Sequence, residues 1–333
     1  MTAGRGLVVE RLEVTGPAGP IVHPVDFAVP PGRMLAVIGE SGSGKTITAR
    51  ALTGLLPSGV TATGRFAVDG DAVELPADPA QWRQVRGRRI VLLLQDPFTS
   101  LSPVHRCGDQ IALTIRARLA AARGVDRAAG RRDRAVRGAV QAEVLQRLAE
   151  VNLPGEVARA YPSELSGGMR QRVAIAAALA AEPRVLIADE PTTALDASNQ
   201  GEVLDLLVSL QRAHEMSLIL VSHDLGLVSG RADDVLVMRA GKVVERGPAD
   251  RVLVTPQHEY TRRLLEANPS IADVGGAAGS ASAPSSASAP SSASAPPAPD
   301  TSLAPPLLVA TGLSKRFGST QALAGVDVDV RAG

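Results

Sequence analysis

Short runs of apolar residues recur between residue 1 and about residue 267, and each run ends at a polar or glycine-rich segment. Four of them lie at Leu35–Ile38, Ile90–Leu94, Val185–Ala188 and Leu218–Val221. A run of this length without alternation is typical of a strand buried on both faces of a sheet. Because helical patterns separate the runs, the sequence predicts an α/β domain.

A stretch rich in Ala, Arg and Leu between Gln110 and Glu150 contains no strand-like run. It predicts a helical insertion, which we expect to form a subdomain over about residues 100–165. Four arginines are concentrated there, namely Arg131, Arg132, Arg134 and Arg137. We interpret them as a solvated helix face, and binding of an anionic partner is the alternative.

The last part of the chain has a different organisation. Between residues 275 and 306 all but three residues are Ala, Ser, Pro or Gly, and such a segment lacks the apolar surface that offsets ordering entropy. We interpret residues 268–306 as a linker. The following segment, Leu308–Gly333, aligns without a gap on Leu7–Gly32. Residues 307–333 are therefore predicted to be the first strands of a second, truncated module; a coincidental strand pair is the alternative.

Composition and charge narrow the function classes. Lys and Arg number 35 against 34 Asp and Glu, so the net charge of +1 gives no electrostatic reason to expect nucleic-acid binding. The single cysteine, Cys107, excludes an internal disulfide and a cysteine-rich zinc site. We find neither a signal-peptide pattern nor an apolar run long enough to span a membrane, and we expect a soluble, cytosolic chain.

A glycine-rich segment follows the first buried run and matches the phosphate-loop pattern G-x-x-x-x-G-K-[ST]. It comprises Gly39, Glu40, Ser41, Gly42, Ser43, Gly44, Lys45 and Thr46. A helix is predicted to follow over Ile47–Leu56. In this context backbone N–H groups converge on phosphate oxygens. Lys45 supplies a compact charge for the β- and γ-phosphates of a nucleotide, and Thr46 supplies a hydroxyl for Mg²⁺.

Two carboxylates end the third apolar run. Asp189 is a candidate for the Mg²⁺ shell, and Glu190 is a candidate general base for the water that attacks the γ-phosphate. A strand that ends in acids is common, so the functional interpretation depends on the phosphate loop upstream.

A second anion-binding segment lies between these motifs, at Ser166, Gly167 and Gly168, where a helix begins. One nucleotide does not need two such segments from the same chain. We therefore expect this segment to close on a nucleotide held by another copy of the module. Taken alone, the segment would be read as an ordinary serine-capped helix.

The order of these motifs, with Leu165–Arg172 reading LSGGMRQR, resembles the ATP-binding subunits of ABC transporters over about residues 7–265. The resemblance implies a P-loop NTPase fold with a mixed sheet core, an antiparallel β edge and a helical subdomain, and ATP and Mg²⁺ as ligands. It further implies that Gln95 contacts Mg²⁺ and the attacking water. By the same resemblance Asp196 belongs to the nucleotide site at the dimer contact, and His223 contacts the γ-phosphate.

Two further segments resemble the peptide and nickel importer branch of that family. They are Gln95–Pro103 with Gly108–Gln110, and His258–Leu265. The resemblance implies a peripheral subunit on the cytoplasmic side of the membrane. Its partners would be a second ATPase module, two transmembrane permease subunits and, indirectly, a solute-binding protein. The solute would be a di- or oligopeptide, with nickel or a glutathione-like molecule as alternatives.

Two other functions compete with this interpretation. A soluble tandem ABC ATPase that acts on ribosomes or DNA is disfavoured by the Ala/Ser/Pro linker and the near-neutral charge. A non-catalytic regulatory module is disfavoured because Lys45, Asp189, Glu190 and His223 are all present.

One position departs from the family pattern. An aromatic residue that stacks on adenine is expected about 29 positions before Lys45, where this chain has Gly16. The aligned position of the second segment is Phe317. We therefore predict weaker adenine recognition in the first module, since stacking contributes roughly 1–3 kcal/mol.

Overall fold

The computed structural model describes residues 6–96, 100–123, 134–193, 195–267, 308–317 and 320–330. The chain forms two compact units, residues 1–279 and residues 280–333. The predicted linker over residues 268–306 lies outside the described residues, as do Arg131 and Arg132 of the arginine run.

The described residues of the larger unit form two sheets. Its strands are β1 (Leu7–Gly16), β2 (Gly19–Val29), β3 (Met34–Ile38), β4 (Thr61–Val68), β5 (Asp71–Leu75), β6 (Ile90–Leu93), β7 (Val185–Asp189), β8 (Ser217–Ser222), β9 (Asp234–Arg239) and β10 (Lys242–Pro248). The central sheet has the order β10-β9-β3-β8-β7-β6, and β10 is its antiparallel strand. An antiparallel sheet of order β2-β1-β4-β5 forms the second layer. The four predicted apolar runs are β3, β6, β7 and β8, which confirms them as strands.

The helices of the larger unit are α1 (Lys45–Ala51), α2 (Pro79–Val85), α3 (Cys107–Arg123), α4 (Arg134–Glu150), α5 (Gly167–Leu179), α6 (Ala197–Ala213), α7 (Leu225–Val228), α8 (Ala249–Val254) and α9 (Glu259–Glu266). The predicted helical insertion is confirmed by α3 and α4. The helix predicted over Ile47–Leu56 is shorter than expected and ends at Ala51. It stops because Gly54 adopts a left-handed φ of +64° against the ring of Trp82.

Both faces of the central sheet are buried, which explains why its strands are apolar without alternation. On β3, Met34, Ala36 and Ile38 pack into a core shared with the helical insertion. The intervening Leu35 and Val37 pack into a second core against the antiparallel sheet. The central sheet is therefore held between two cores, and its strand ends have fixed positions.

A buried ion cluster joins the helical insertion to the sheet core. The side chain of Arg147 on α4 is 5% exposed and pairs with Glu143 and Glu150 on its own helix. It also contacts Glu182, in the segment that leads into β7, over 2.9 Å. Because a buried charge requires partners, this cluster fixes where α4 lies relative to β7.

In the smaller unit the described residues form a hairpin of β11 (Leu308–Phe317) and β12 (Thr320–Val330). Its pairing repeats that of β1 with β2 at a constant offset, since Leu308 faces Val330 as Leu7 faces Val29. A side-chain contact is repeated as well. The Gly312 N–H donates to Asp327 over 2.6 Å, as the Arg11 N–H donates to Asp26 over 2.8 Å. The sequence repeat is thus also a repeat of strand register.

Across all the residues described, no helix combines the length and apolar character that crossing a membrane requires.

Candidate active site

The predicted functional residues of the sheet core meet at one edge of the central sheet. The phosphate loop follows β3, Gln95 follows β6, Asp189 ends β7 and His223 follows β8. These four strands are neighbours and parallel, so their carboxyl ends open on the same side. Such an edge is where open α/β sheets bind ligands.

The glycines of the phosphate loop are required by its backbone. Gly39 has a φ of +148°, and a Cβ atom there would lie 2.2 Å from the carbonyl oxygen of Met238. Gly44 has a φ of +105° and ends the loop where α1 begins. At Gly42, with a φ of +80°, a Cβ would meet nothing within 4 Å. The loop therefore turns through three glycines with positive φ, a backbone shape that residues with side chains rarely adopt.

Lys45 lies inside the loop. Its Nζ donates hydrogen bonds to the carbonyl oxygens of Gly39 over 2.8 Å and Glu40 over 2.9 Å. Burial lowers the pKa of Lys45, and the nearby Glu190, Asp189 and Glu40 carboxylates partly oppose that shift. The ammonium is thus held by neutral carbonyls, which phosphate oxygens can replace with stronger, charge-assisted bonds.

Thr46 and Asp189 form an oxygen-rich pair. The Thr46 hydroxyl donates to Oδ1 of Asp189 over 3.0 Å. Asp189 is 3% exposed. Burial raises the pKa of Asp189, and the Thr46 hydrogen bond opposes that shift. A buried carboxylate beside a hydroxyl is a donor set that suits Mg²⁺, since this ion prefers oxygen ligands and favours the ionised carboxylate.

Glu190 is the centre of a polar cluster. Its Oε2 accepts hydrogen bonds from Gln95 and Thr193, each over 3.1 Å. Its Oε1 lies 3.3 Å from Nδ1 of His223. Its φ of +46° is unusual for a residue with a side chain, and its N–H donates to the Val221 carbonyl over 3.0 Å. The backbone is thus held in a conformation that directs this carboxylate towards Gln95 and His223.

The segment at Ser166 has a different location. Ser166 caps α5, with its Oγ accepting from the N–H of Met169 over 3.3 Å. A Cβ at Gly168 would find its nearest neighbour 4.0 Å away, in Asn199, so the fold itself does not require this glycine. Among the hydrogen bonds of the described residues, none joins this segment to the phosphate loop. Asp196 is exposed and precedes α6, while Ala194 lies outside the described residues.

Two residues within the importer-branch segments, Gln110 and Tyr260, make contacts that the sequence did not indicate. The Gln110 side chain donates to the Ser102 carbonyl over 3.0 Å and accepts from the Ser102 N–H over 2.8 Å, so it shapes the loop before α3. The hydroxyl of Tyr260 on α9 accepts from the N–H of Glu40 over 3.0 Å. The only sequence signal for either contact was the resemblance of the surrounding segment.

Gly16 ends β1 and pairs with Gly19. A Cβ built on Gly16 would lie 2.8 Å from Cδ1 of Ile21. An aliphatic side chain thus lies next to the position where the family pattern places an aromatic ring.

Comparison with known proteins gives a consistent picture. The family model described as ABC transporter matches residues 22–193. The chain is 42% identical over 260 residues to a putative peptide import ATP-binding protein of Brucella ovis, covering 76% of this chain and 73% of that protein. It is 42% identical over 254 residues to the peptidoglycan transport ATP-binding protein YejF of Agrobacterium fabrum. That match covers 74% of this chain but 43% of YejF, so the chain spans less than half of this relative.

A solved structure has the same fold. CbiO1 from Clostridium perfringens, described as part of the ABC transporter complex cbiONQ, superposes with a TM-score of 0.63. The match covers 81% of this chain and 98% of that one at 24% sequence identity. The likeness extends to the arrangement of sheets and helices and confirms the predicted P-loop fold.

Proposed function

The chain belongs to the ABC transporter family, and on that premise we propose that it binds and hydrolyses ATP to drive a peptide importer. The observation that carries the proposal is the convergence of Lys45, Thr46, Asp189 and Glu190 at one sheet edge. This arrangement joins a phosphate cradle, a cation site and a base.

Lys45 and the loop N–H groups bind the phosphates. On ATP binding the Lys45 ammonium exchanges the Gly39 and Glu40 carbonyls for β- and γ-phosphate oxygens. Thr46, Asp189 and Gln95 would hold Mg²⁺, which would supply positive charge beside the phosphates. These three side chains offer a hydroxyl, a carboxylate and an amide oxygen, a set that matches the ion's preference.

Glu190 accepts the proton of the attacking water. Its contacts with Gln95 and His223 orient the carboxylate towards the sheet edge. As the reaction proceeds, His223 and Lys45 stabilise the charge on the γ-phosphate. Gln95 donates a hydrogen bond to the base over 3.1 Å, so it would order the attacking water beside Glu190.

Two modules enclose two ATP molecules. Each nucleotide lies between one phosphate loop and the segment Ser166–Gly168 of the other module, with Asp196 at the same contact. The open space at Gly168 supports this role, because room that the monomer does not use is available to a nucleotide from outside.

The chain is organised as an ATPase module over residues 1–267, a linker over 268–306 and the first strands of a second module over 307–333. The shared register of the two hairpins supports this division. A tandem arrangement also agrees with the 43% coverage of the peptidoglycan transport relative.

The partners are two transmembrane permease subunits at the cytoplasmic side of the membrane and, through them, a solute-binding protein. A peptide solute is supported by relatives named for peptide import and peptidoglycan transport. The competing function is a soluble tandem ATPase acting on ribosomes or DNA.

Two measurements test the proposal. The purified chain should release phosphate from ATP in the presence of Mg²⁺, and Lys45→Met should reduce this at least about 100-fold. Lys315→Met, in the hairpin of the smaller unit, is the matched control and should retain wild-type turnover. Absence of turnover in the wild-type full-length protein would contradict the enzymatic part. Co-purification with ribosomes or DNA rather than with membranes would contradict the importer.

A further inference from the structure

We propose that Tyr260 is a positioning residue for the phosphate loop, so that nucleotide binding depends on the docking of α9. The inference rests on the proposed ATP site and adds to it a residue from the last helix of the module, 220 residues from its contact.

One peptide unit of the loop is held from both ends. The peptide between Gly39 and Glu40 offers its carbonyl to the Lys45 ammonium over 2.8 Å. Its N–H donates to the hydroxyl of Tyr260 over 3.0 Å. In a trans peptide the C=O and N–H groups point in opposite directions. The two bonds therefore lie on opposite sides of the unit and together prevent it from rotating.

This restraint acts where the backbone is least restrained by its own side chains. Gly39 has no Cβ, and its φ of +148° is in a region that other residues rarely adopt. The same freedom that lets Gly39 pass close to Met238 would let the next peptide unit turn over. Tyr260 removes that freedom, and thereby holds the peptide unit, and with it the turn of the phosphate loop, in one orientation.

Tyr260 is itself held in place. Its side chain is buried, with the residue 4% exposed. The Arg239 guanidinium lies over the ring, 4.8 Å from its centroid. Burial raises the pKa of Tyr260, so the phenol stays neutral and can accept the Glu40 N–H at physiological pH.

The start of α9 is anchored to β10. Glu245 accepts hydrogen bonds from the N–H groups of Gln257 over 2.8 Å and His258 over 3.1 Å. Nδ1 of His258 accepts from the Tyr260 N–H over 3.1 Å. These contacts fix the backbone at Tyr260. Its side chain therefore loses little conformational entropy when the hydroxyl accepts the Glu40 N–H. Any displacement of α9 separates the hydroxyl from Glu40.

Tyr260→Phe in the full-length chain tests the proposal, because it removes the hydroxyl and keeps the ring. The Kd for ATP should rise about 3- to 10-fold, the loss expected for one hydrogen bond. The kcat should stay within about twofold, and hydrogen exchange at the Glu40 amide should accelerate. Tyr161→Phe is the matched control, since Tyr161 is exposed and contacts Arg106 instead. It should leave all three quantities unchanged.

An unchanged Kd in Tyr260→Phe, or a loss of kcat with an unchanged Kd, would overturn the inference. If the variant does not fold, the wild-type chain decides: slow exchange of the Glu40 amide without nucleotide supports the contact, and rapid exchange refutes it. If the wild-type chain fails to bind ATP, the proposed function fails instead. Equal ATP binding by wild type and Tyr260→Phe, in contrast, refutes only the role of Tyr260.

Discussion

The hydroxyl of Thr46 donates a hydrogen bond to Oδ1 of Asp189 over 3.0 Å. The two residues lie 143 positions apart: Thr46 is in the first turn of α1, which follows β3, and Asp189 ends β7, and β8 separates these two strands in the central sheet. The bond therefore spans the carboxyl end of β8. The phosphate loop and the carboxylate are thus joined by a direct hydrogen bond.

Asp189→Asn should strongly reduce turnover and stabilise the protein in the absence of nucleotide and Mg²⁺. The buried charge at Asp189 is unfavourable without a cation, and asparagine keeps an oxygen that accepts from Thr46. We expect a rise in Tm of about 2–4 °C, which corresponds to about 1 kcal/mol in a domain of this size. Phosphate release should fall on the order of 100-fold. A lower Tm for the variant would contradict the claim that the buried Asp189 charge destabilises the fold.

The same charge predicts a pH dependence. Because the pKa of Asp189 is raised in the folded state, folding favours the protonated form. The stability gained by protonating Asp189 is fully present below its ordinary pKa of about 3.9. It is lost as the pH rises through the pKa of Asp189 in the folded state. The Tm advantage of Asp189→Asn should therefore be largest near pH 7 and shrink towards pH 4. Thermal unfolding of both proteins across this range measures it, and a constant difference would refute it.

Glu190→Gln should bind ATP with near wild-type affinity and lose at least about 100-fold in turnover, because it removes the proton acceptor. Phosphate release and equilibrium ATP binding are the measurements. Glu74→Gln is the control. Glu74 is exposed and lies on β5 of the antiparallel sheet, not on the central sheet that carries the candidate site. Turnover retained in Glu190→Gln would exclude this residue as the base.

Gly168→Asp tests whether the segment at Ser166 serves a second module. The nearest atom to a Cβ there is 4.0 Å away, so the variant should fold and bind ATP within about twofold of wild type. It should lose ATP-dependent dimerisation, which sedimentation in the Glu190→Gln background measures, because the new carboxylate repels phosphate. Gly138→Asp, at an open position on α4, is the matched control. If Gly168→Asp still dimerises with ATP, the proposal that each nucleotide lies between two modules would be contradicted.

Gly16→Tyr should improve ATP affinity about 10-fold if base stacking is the missing contribution. The Ile21 side chain would contact the new Cβ at 2.8 Å, so the substitution is best combined with Ile21→Ala. Titration with ATP compares the double variant with Ile21→Ala alone. Equal affinities would show that module one recognises adenine by other contacts.

The parts of the fold that the sequence predicted share one physical property. Strands β3, β6, β7 and β8 are buried on both faces. Each therefore appears in the sequence as an apolar run that ends at a polar or glycine-rich segment. The acidic and polar residues at those ends could be assigned to one edge from the parallel pairing alone. By contrast, β1 is interrupted by Arg11, with a φ of +49°, and by register shifts, so its bounds were not predicted.

The contact between Tyr260 and Glu40 could not be predicted for a different reason. A tyrosine on an amphipathic helix reads as a core residue, and nothing local indicates that its hydroxyl has a partner 220 positions away. The conformation of Glu190 was equally hidden, because a left-handed φ at a glutamate depends on the tertiary contact of its N–H with Val221. Both features arise from packing between distant segments.

The two hairpins of matching register raise the question of mispairing while the chain folds. Either hairpin could compete for β4, the strand that β1 pairs with in the larger unit. Lys315 occupies the register position of Val14, which is fully buried in that sheet. Seating β11 there would place an ammonium in an apolar core, which is unfavourable without a partner. The two hairpins of matching register therefore differ in charge at a position where the first sheet buries an apolar side chain.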